Sequence, residues 1–549
     1  MIHSATPEAF QPVRAQKGGF QASWLYRQLL KGPVPKGVRL NVAELWPGDP
    51  ERGREMLTGQ FRFQSESHHL TSAALPPTQA SAEWLAWFHG HGWLTHLKAL
   101  GGTDGGGEAP YFAREWVSTW MDANADWSHP AWTPAVAAER VINWVRAWDF
   151  LIRTDIPGPF DRVLRQSVGR DARHIFKSAP PGTEGFARLH TLKGQVFASL
   201  TLLGGDRCQQ KALGRLEGEI NAQVLPDGGH VERNPERLAQ VLQDLLEVRS
   251  LCATALGQIP GFVQNAIDRA APMLRALRHA DGGLAVFNGG LEANPAWLDQ
   301  LLGQTDPSTT PPLSAPYAGF QRLSAGAVAL IMDCGKPATA GHLHHAGTLS
   351  FEMSVGKQRL IVNCGARTGE SDPWRTALAA TAAHSTLTIN DTSSAAFALD
   401  GHLRRGPDSV TCERQDADEG TIIEASHDGY MNPFGLTHKR ALFISPTGDN
   451  VRGEDRITGT GGQYFTVRFH LHPGVTASVL GGGAEVLLRF GTKDKEAWRL
   501  RASNGEIHLE ESVYLGRAGH SRRMEQIVIS GPLSGNGALV KWALSREGS

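Results

Sequence analysis

The sequence predicts an α+β multidomain protein, helical in its first half and folded as an antiparallel β-sandwich in its second. Three observations carry this reading. The chain has 549 residues, too many for one compact core. From about residue 78 to 279 apolar residues recur at the helical period, and eleven of the 15 tryptophans fall before residue 150. After about residue 283 the apolar runs become short and alternating, with turn residues between them.

The elements follow in order. SAEWLAWFHGHGWLTHLKAL places Trp84, Trp87, Leu94, Leu97 and Leu100 near one helical face. AREWVSTWMDA repeats Trp116 and Trp120 four residues apart. TPAVAAERVINWVRAWDFLI opens with Thr133 as N-cap and Pro134 at the first helical position. Helices are further predicted over about 160–178, 187–204, 208–224, 235–257 and 260–279, joined by short connections rich in Gly and Pro. Such a succession forms a bundle, a solenoid, or hairpins set in an arc or ring. GAVALIMDCG, TLSFEMSV, QRLIVNCG, STLTIND, GTIIEASH, KRALFISP, QYFTVRFHLHP, AEVLLRF, GEIHLEES and EQIVIS are the predicted strands. Pro, Ser and Thr crowd the stretch 302–320, the expected linker. The expected domains are an N-terminal extension (1–75), a helical domain (76–301), this linker, and the sandwich (321–549).

Net charge is −1, so no long-range field gathers nucleic acid, and none is expected as a partner. No apolar run approaches the length of a membrane span, so no membrane insertion is expected. The N-terminus lacks a secretory pattern, and the five cysteines form no CxxC. Both point to a cytoplasmic protein with reduced thiols. Phosphate-loop, GxSxG and HExxH motifs are missing, which removes the usual support for nucleotide hydrolysis, α/β-hydrolase chemistry and zincin proteolysis.

Four clusters could carry chemistry. In GHLHHAGTLSFEMSVGKQRLIVNCG, His342, His344 and His345 precede a strand, Asn363 and Cys364 end its partner, and His384 starts another. His345 and His384 could bind zinc with a third ligand, move protons, or serve as hydrogen-bonded strand ends. In LPDGGHVERNP, His230, Glu232 and Arg233 stand on a loop expected to be exposed, where Arg would pair a sugar carboxylate and His or Glu would move protons. Trp132, Trp144 and Arg140 could offer flat faces and charge to sugar rings, although aromatics at helical spacing are more often core. In GTEGFARLHTLKG, His190 and Lys193 read as the polar edge of a helix.

Two segments, HHAGTLSFEMSVGKQRLIVNCG and DPWRTALAATAAHSTLTIND, resemble the His-Ala-Asp…Ser-Phe-Glu hairpin and the Ala-Ala-His-Asn-Thr strand of bacterial heparinase II/III-like proteins. LPDGGHVERNP and QYFTVRFHLHPGV add to the likeness, which spans roughly residues 20 to 535. The resemblance implies an α/α toroid, an incomplete helical barrel, followed by the sandwich. It also implies β-elimination at a uronic acid. An Asn or His on a toroid helix neutralises the C5 carboxylate, a Tyr takes the C5 proton, a sandwich His assists, and zinc held by His, Asp and His supports the site. In this sequence the Asn–His pair falls at Phe186 and Ala187, and the Tyr at Arg237. The Asp of His-Ala-Asp falls at Gly347, and the Asp ligand of zinc at Asn363.

Three functions remain open on this reading. The first is a lyase on uronate-containing oligosaccharide or polysaccharide, using His345, His384, His230 and Glu232 as catalytic groups. Arg233, Arg140, Trp132, Trp144 and Arg375 would bind substrate, and Zn2+, if bound, would sit on His345, His384 and Asn363. The second is a glycoside hydrolase using Glu232 and Glu352. The third is a saccharide-binding or assembly protein without catalysis.

Overall fold

A computed structural model describes residues 19–74, 76–101, 107–152, 159–178, 185–341, 344–367, 372–398, 401–491 and 496–548. The chain divides into two compact units. The first comprises the described residues up to 178 with His190–Ala212; the second comprises those described within Pro181–Leu189 and all from Leu213 onward. The second unit therefore joins the later helices to every strand of the sandwich.

Amphipathic periodicity builds the first unit. Helices Ala82–His89, Leu94–Leu100, Ala109–Ala123, Pro134–Arg146 and Phe160–Lys177 turn Trp84, Trp93, Trp120 and Trp144 wholly inward. The stretch 82–100 is two helices, because His91 takes a left-handed φ of 58° between Gly90 and Gly92. That turn aims the His91 ring inward, where its Nδ1 accepts the Trp144 indole N–H at 2.8 Å. Thr133 occupies the N-cap position with extended backbone. Its hydroxyl does not cap, donating instead to the Pro130 carbonyl at 3.0 Å.

In the second unit, helix Pro235–Leu256 starts as its sequence dictates. Pro235 stands in the first turn, the Asn234 side chain accepts the Arg237 N–H, and Gly257 closes the helix at φ 69°. Gly261–Ala276 and Pro295–Gly303 pack on this helix. Beside a small pair, Ala396–Phe397 with Leu403–Arg405, the sandwich strands form two antiparallel sheets. The nine-stranded sheet runs Glu506–Arg517, His520–Pro532, Tyr464–Leu471, Gln358–Val362, Phe351–Val355, Val328–Asp333, Phe320–Ala325 and Ser314–Ala315, with Leu387–Ile389 paired to Tyr464–Leu471. The eight-stranded sheet runs Val410–Ala417, Gly420–Tyr430, Leu436–Ile444, Asn450–Gly459, Gly537–Arg546, Glu496–Ser503, Glu485–Phe490 and Thr476–Leu480. Inward residues of both sheets, among them Leu330, Phe351, Phe469, Leu442, Leu500 and Trp542, make one apolar core. Among the described residues no helix is long and apolar enough to cross a membrane.

One polar knot sits inside that core. Asp455 is wholly buried and accepts from Arg440 through both carboxylate oxygens (2.7 and 3.1 Å), from His438 Nε2 (2.7 Å) and from the Trp542 indole (3.0 Å). Arg440 also donates to the carbonyls of Leu349 and Ser385, tying the eight-stranded sheet to chain segments of the other. Burial raises the cost of the Asp455 charge, yet Arg440 and His438 hold its carboxyl far below the usual carboxylate range. Asp455→Ala should therefore strand a buried guanidinium and cost roughly 3–5 kcal/mol in urea unfolding. Asp416→Ala, which removes the exposed partner of Arg414, should leave the midpoint nearly unchanged.

Candidate functional site

The loop between helices Gln209–Gln223 and Pro235–Leu256 was expected to be exposed; His230, Glu232 and Arg233 are all buried. The reason is hydrogen bonding. His230 Nε2 donates to Gln223 Oε1 at 2.9 Å, and its Nδ1 accepts the Glu232 N–H at 3.3 Å, so both ring nitrogens are committed. Burial lowers its pKa to about 4, against the pull of Glu232. Glu232 accepts the Phe186 N–H at 3.1 Å and pairs with Arg237 at 3.3 Å. Gly185 (φ 67°) and Gly341 (φ 89°) both press on its carboxylate, and a Cβ at either would meet it within 2.7 Å. Arg237 in turn lies over the Phe186 ring at 4.8 Å.

Arg233 does not wait for a sugar carboxylate. Its guanidinium donates to the carbonyls of Ala318 (2.8 Å), Lys336 (2.5 Å) and Gly319 (3.2 Å), and to the Asp333 carboxylate. It also lies 5.1 Å from the Phe320 ring. The backbone of Arg233 is left-handed at φ 55° and is held there by the Asn288 side chain, which donates to its carbonyl at 3.1 Å.

The three histidines that precede the strand separate. His342 lies outside the described residues. His344 is buried, with its ring stacked 5.7 Å from that of Phe397. His345 and His384 do meet, Nδ1 to Nε2, at 3.1 Å. His384 Nδ1 lies 2.8 Å from the Ala380 carbonyl and so carries a proton. Its Nε2 must then accept, which makes His345 the donor through Nδ1. Gly347 permits this contact, since a Cβ there would come within 2.8 Å of the His384 ring. Burial lowers the His384 pKa to about 4 and puts that of His345 well below the ordinary value, with His384 and His344 adding to the effect on His345.

Asn363 completes this corner without serving as a metal ligand. Its Nδ2 donates to the Val286 carbonyl at 3.0 Å and its Oδ1 accepts the Ser385 N–H at 3.0 Å, so the amide is used on both sides. A neutral amide already spent on backbone does not replace a carboxylate in a tetrahedral zinc shell. Among the described residues no cluster of three His, Cys, Asp or Glu side chains is set to hold a metal ion. The donor set does not fit zinc.

The remaining candidates are placed as follows. Arg140 is wholly buried in the first unit, where it donates to Asp171 at 2.8 Å and to the carbonyls of His89 and Ala131. Trp132 and Trp144 are core residues beside it, so all three build the helical interior and none presents a sugar platform. Glu352 is also fully buried, accepting from His279 (3.1 Å), Val286 N–H (3.1 Å) and Asn363 N–H (2.9 Å). It cannot face Glu232 across a cleft as a hydrolase requires. Arg375 is half-buried on the short helix Trp374–Ala379.

A cleft of about 830 Å³ does lie in the second unit, walled by Arg188, Glu219, Arg233, Tyr317, Lys336 and Leu403 among others. Arg188 is paired with Glu219 at 2.5 Å. Of the proposed catalytic groups, His230, Glu232, His345 and His384, none is among its lining residues. Sequence reading missed Asp333, Gln223 and Asn288, the partners that fix Arg233 and His230, because their elements carry no motif that marks them.

Helices followed by an antiparallel sandwich of this order define the class: the α/α-toroid and β-sandwich fold of polysaccharide lyases. The chain matches the structure of Heparinase III with a TM-score of 0.75, covering 96% of this chain and 89% of that one at 12% identity. It matches heparan sulfate lyase HepC from Pedobacter heparinus with a TM-score of 0.63, covering 95% and 87% at 17% identity. Chondroitin AC lyase of Streptomyces coelicolor A3, in complex with chondroitin sulphate, gives 0.56, covering 91% and 79% at 12% identity. Residues 307–543 match the family described as Heparinase II/III-like, C-terminal. In sequence it is similar to FtsZ-localized protein C of Caulobacter vibrioides, 29% identical over 574 aligned positions that cover 98% of this chain and 96% of that protein.

The buried neutral histidines set a pH dependence. The unfolded chain binds a proton at each near pH 6.5, whereas folded His230 and His384 do so only near 4. Between these values the unfolded state holds more protons, so stability falls as pH falls. The urea midpoint should be level above pH 7 and drop steadily from about pH 6.5 to pH 4, with a shallower slope in His384→Gln.

Proposed function

We propose that this chain is a non-catalytic protein of the heparinase fold that associates with FtsZ assemblies in a bacterial cell, and that it performs no β-elimination. One observation carries the reading. Where the family resemblance puts the carboxylate-neutralising pair and the proton-abstracting Tyr, this chain has Phe186, Ala187 and Arg237, and Arg237 is stacked on Phe186 and paired with Glu232. A permanently charged guanidinium cannot act as a general base at neutral pH. The other candidate bases are weak: burial holds His230, His345 and His384 below their ordinary pKa, and a base works best near the ambient pH.

The FtsZ association is supported by likeness along nearly the full length of FtsZ-localized protein C. That likeness extends through the helical half as well as the sandwich, so both halves are taken to belong to the role. A cytoplasmic location agrees with it. The cleft lined by Tyr317 and Arg188 keeps room for a saccharide, so sugar binding without cleavage is compatible with this function.

The test has two arms. In the first, the protein is incubated with uronate-containing oligosaccharides while ultraviolet absorbance is followed, because β-elimination leaves a conjugated C4–C5 double bond. The trace should stay flat. In the second, the protein is centrifuged with FtsZ polymers assembled with GTP, and it should sediment with them and remain in the supernatant without them. Rising absorbance that His345→Ala abolishes would establish a lyase in place of this reading; failure to sediment at saturating FtsZ would remove the association.

A further inference from the structure

The outer face of the eight-stranded sheet carries a trough of about 530 Å³, within the size range of small-molecule sites. It crosses five neighbouring strands, from Gly420–Tyr430 to Glu496–Ser503, on the side away from the apolar core. It shares no lining residue with the 830 Å³ cleft. Its floor is rigid. Trp542 runs beneath Gly453 so closely that a Cβ there would meet its ring at 2.0 Å. That indole is fixed in turn by Asp455 at 3.0 Å and by stacking on Phe351 at 5.8 Å.

Cross-strand pairing gives the trough two unlike ends. Ile422 opposes Phe443, Phe443 opposes Arg452, Arg452 opposes Ala543, and Ala543 opposes Arg501. Side chains along this row change from apolar to cationic. A second row beside it, Ala441, Glu454, Lys541 and Ser503, changes in the same sense. Strands lie about 4.8 Å apart, so three spacings separate Phe443 from Arg501, roughly 14 Å.

The cationic end keeps charge to spare. Arg452 and Arg501 flank Ala543, whose single methyl group leaves the space between them open. Arg452 donates through Nε to the Asn450 amide oxygen at 2.8 Å and, among the described residues, pairs with no carboxylate. Arg501 donates through Nε to Glu485 at 2.6 Å, and the same carboxylate also serves Arg499. The Nη groups of Arg452 and Arg501 have no hydrogen-bond partner among the described residues. Lys541 is exposed and lies 3.7 Å from Glu454, which is already bound to Arg456 at 2.7 Å. Two open guanidinium forks and an ammonium around a small floor suit a phosphate, which takes paired N–H bonds from arginine. At the other end Ile422, Ala441 and Phe443 offer a partly exposed apolar surface. Glu424, held by Lys439 at 3.0 Å, supplies an acceptor there.

We propose that this trough binds a nucleoside diphosphate, with its phosphates between Arg452 and Arg501 beside Lys541 and its base on the apolar end. A bare anion would leave the apolar end uncovered, and an apolar ligand would leave the guanidinium forks unpaired. A nucleotide uses both. Its flat base covers Phe443 and Ile422, and the planar Arg452 guanidinium, 5.7 Å from the Phe443 ring, lies where base gives way to phosphate. Glu424 accepts a hydrogen bond from a ribose hydroxyl or an exocyclic amine. The row from Phe443 to Arg501 leaves room for base, ribose and diphosphate in extended form.

The experiment is isothermal titration calorimetry of the full-length protein at low ionic strength with ADP, GDP and UDP, each beside its nucleoside and inorganic pyrophosphate. The expected result is saturable binding of at least one of the three, weakened by added salt. It should be about tenfold tighter, or more, than binding of the matching nucleoside or of pyrophosphate. Arg452→Ala and Arg501→Ala should each weaken it about tenfold, the loss expected for a charge-assisted hydrogen bond. Ala543→Phe should abolish it, since the new ring fills the floor, and aromatic residues are favoured in strands. Arg523→Ala, which removes an exposed cation of the other sheet, should bind as the wild type does. Failure of all three nucleotides to bind, equal affinity for pyrophosphate, or binding untouched by both arginine variants would overturn the proposal. Should Ala543→Phe fail to fold, the two arginine variants decide. FtsZ enters none of these measurements.

Discussion

The side chain of Arg233 decides how the helical hairpin of the second unit meets the sandwich. A guanidinium buried to this degree survives only if every donor finds an acceptor. Here three carbonyls and the Asp333 carboxylate supply them, and the carbonyls come from two separate stretches, Ala318–Gly319 and Lys336. The hairpin loop must therefore enter with Arg233 in a left-handed turn, and Asn288 must reach across to both the Arg233 carbonyl and Asp333. Such a pair adds little net stability over a well-packed apolar one, but removing one partner is costly, so the geometry tolerates few alternatives. Everything downstream in the loop, from the Asn234 cap to the start of helix Pro235–Leu256, inherits its position from this bond set.

That constraint explains why the polar groups of the loop are turned to partners within the protein. Once Arg233 is drawn inward, His230 and Glu232 follow it under the surface, and each must find a partner within the protein. His230 finds Gln223 and the Glu232 backbone; Glu232 finds Arg237 and the Phe186 N–H. In the sandwich the same rule operates on His345 and His384, whose tautomers are set by one carbonyl and one another. These are satisfied polar groups in a dry setting, where low dielectric strengthens their mutual bonds and disfavours any charged intermediate state.

Much of the fold was legible in the sequence. The helices over 160–276 fall within a few residues of their predicted bounds, because caps such as Asn234-Pro235 and stops such as Gly257 are local signals. Strands with an apolar inward face, such as Val328–Asp333 and Tyr464–Leu471, were equally clear. Asn450–Gly459 was not, because its inward positions include Gly453 and Asp455. Gly453 is required where the Trp542 ring crosses the strand, and Asp455 serves the Arg440 knot, so the alternation of apolar residues is broken by tertiary needs. The candidate site was legible only as residue types. The sequence left open whether His345 and His384 approach each other; that they touch, that Asn363 is spent on backbone, and Arg140 on Asp171, depends on partners far away in sequence.

The charge in the cleft bears on the proposed absence of catalysis. A polysaccharide rich in uronate is a polyanion, and a site that grips one needs cations whose charge is not already cancelled. In this cleft Arg188 lies 2.5 Å from Glu219, and Arg233 is bound to Asp333. Lys336 is exposed at the wall, but a single lysine gives neither the field nor the bidentate geometry that a row of carboxylates demands. The net charge of the whole chain, −1, adds nothing to the attraction. What the cleft does retain is shape, an exposed Tyr317 and a rigid backbone rim, features that suit recognition through contact and discrete hydrogen bonds. On the proposed reading, Arg237 at the Tyr position, internal pairing of the cleft's arginines and burial of the histidines are three aspects of one condition: polar groups that a substrate would need are engaged within the protein itself.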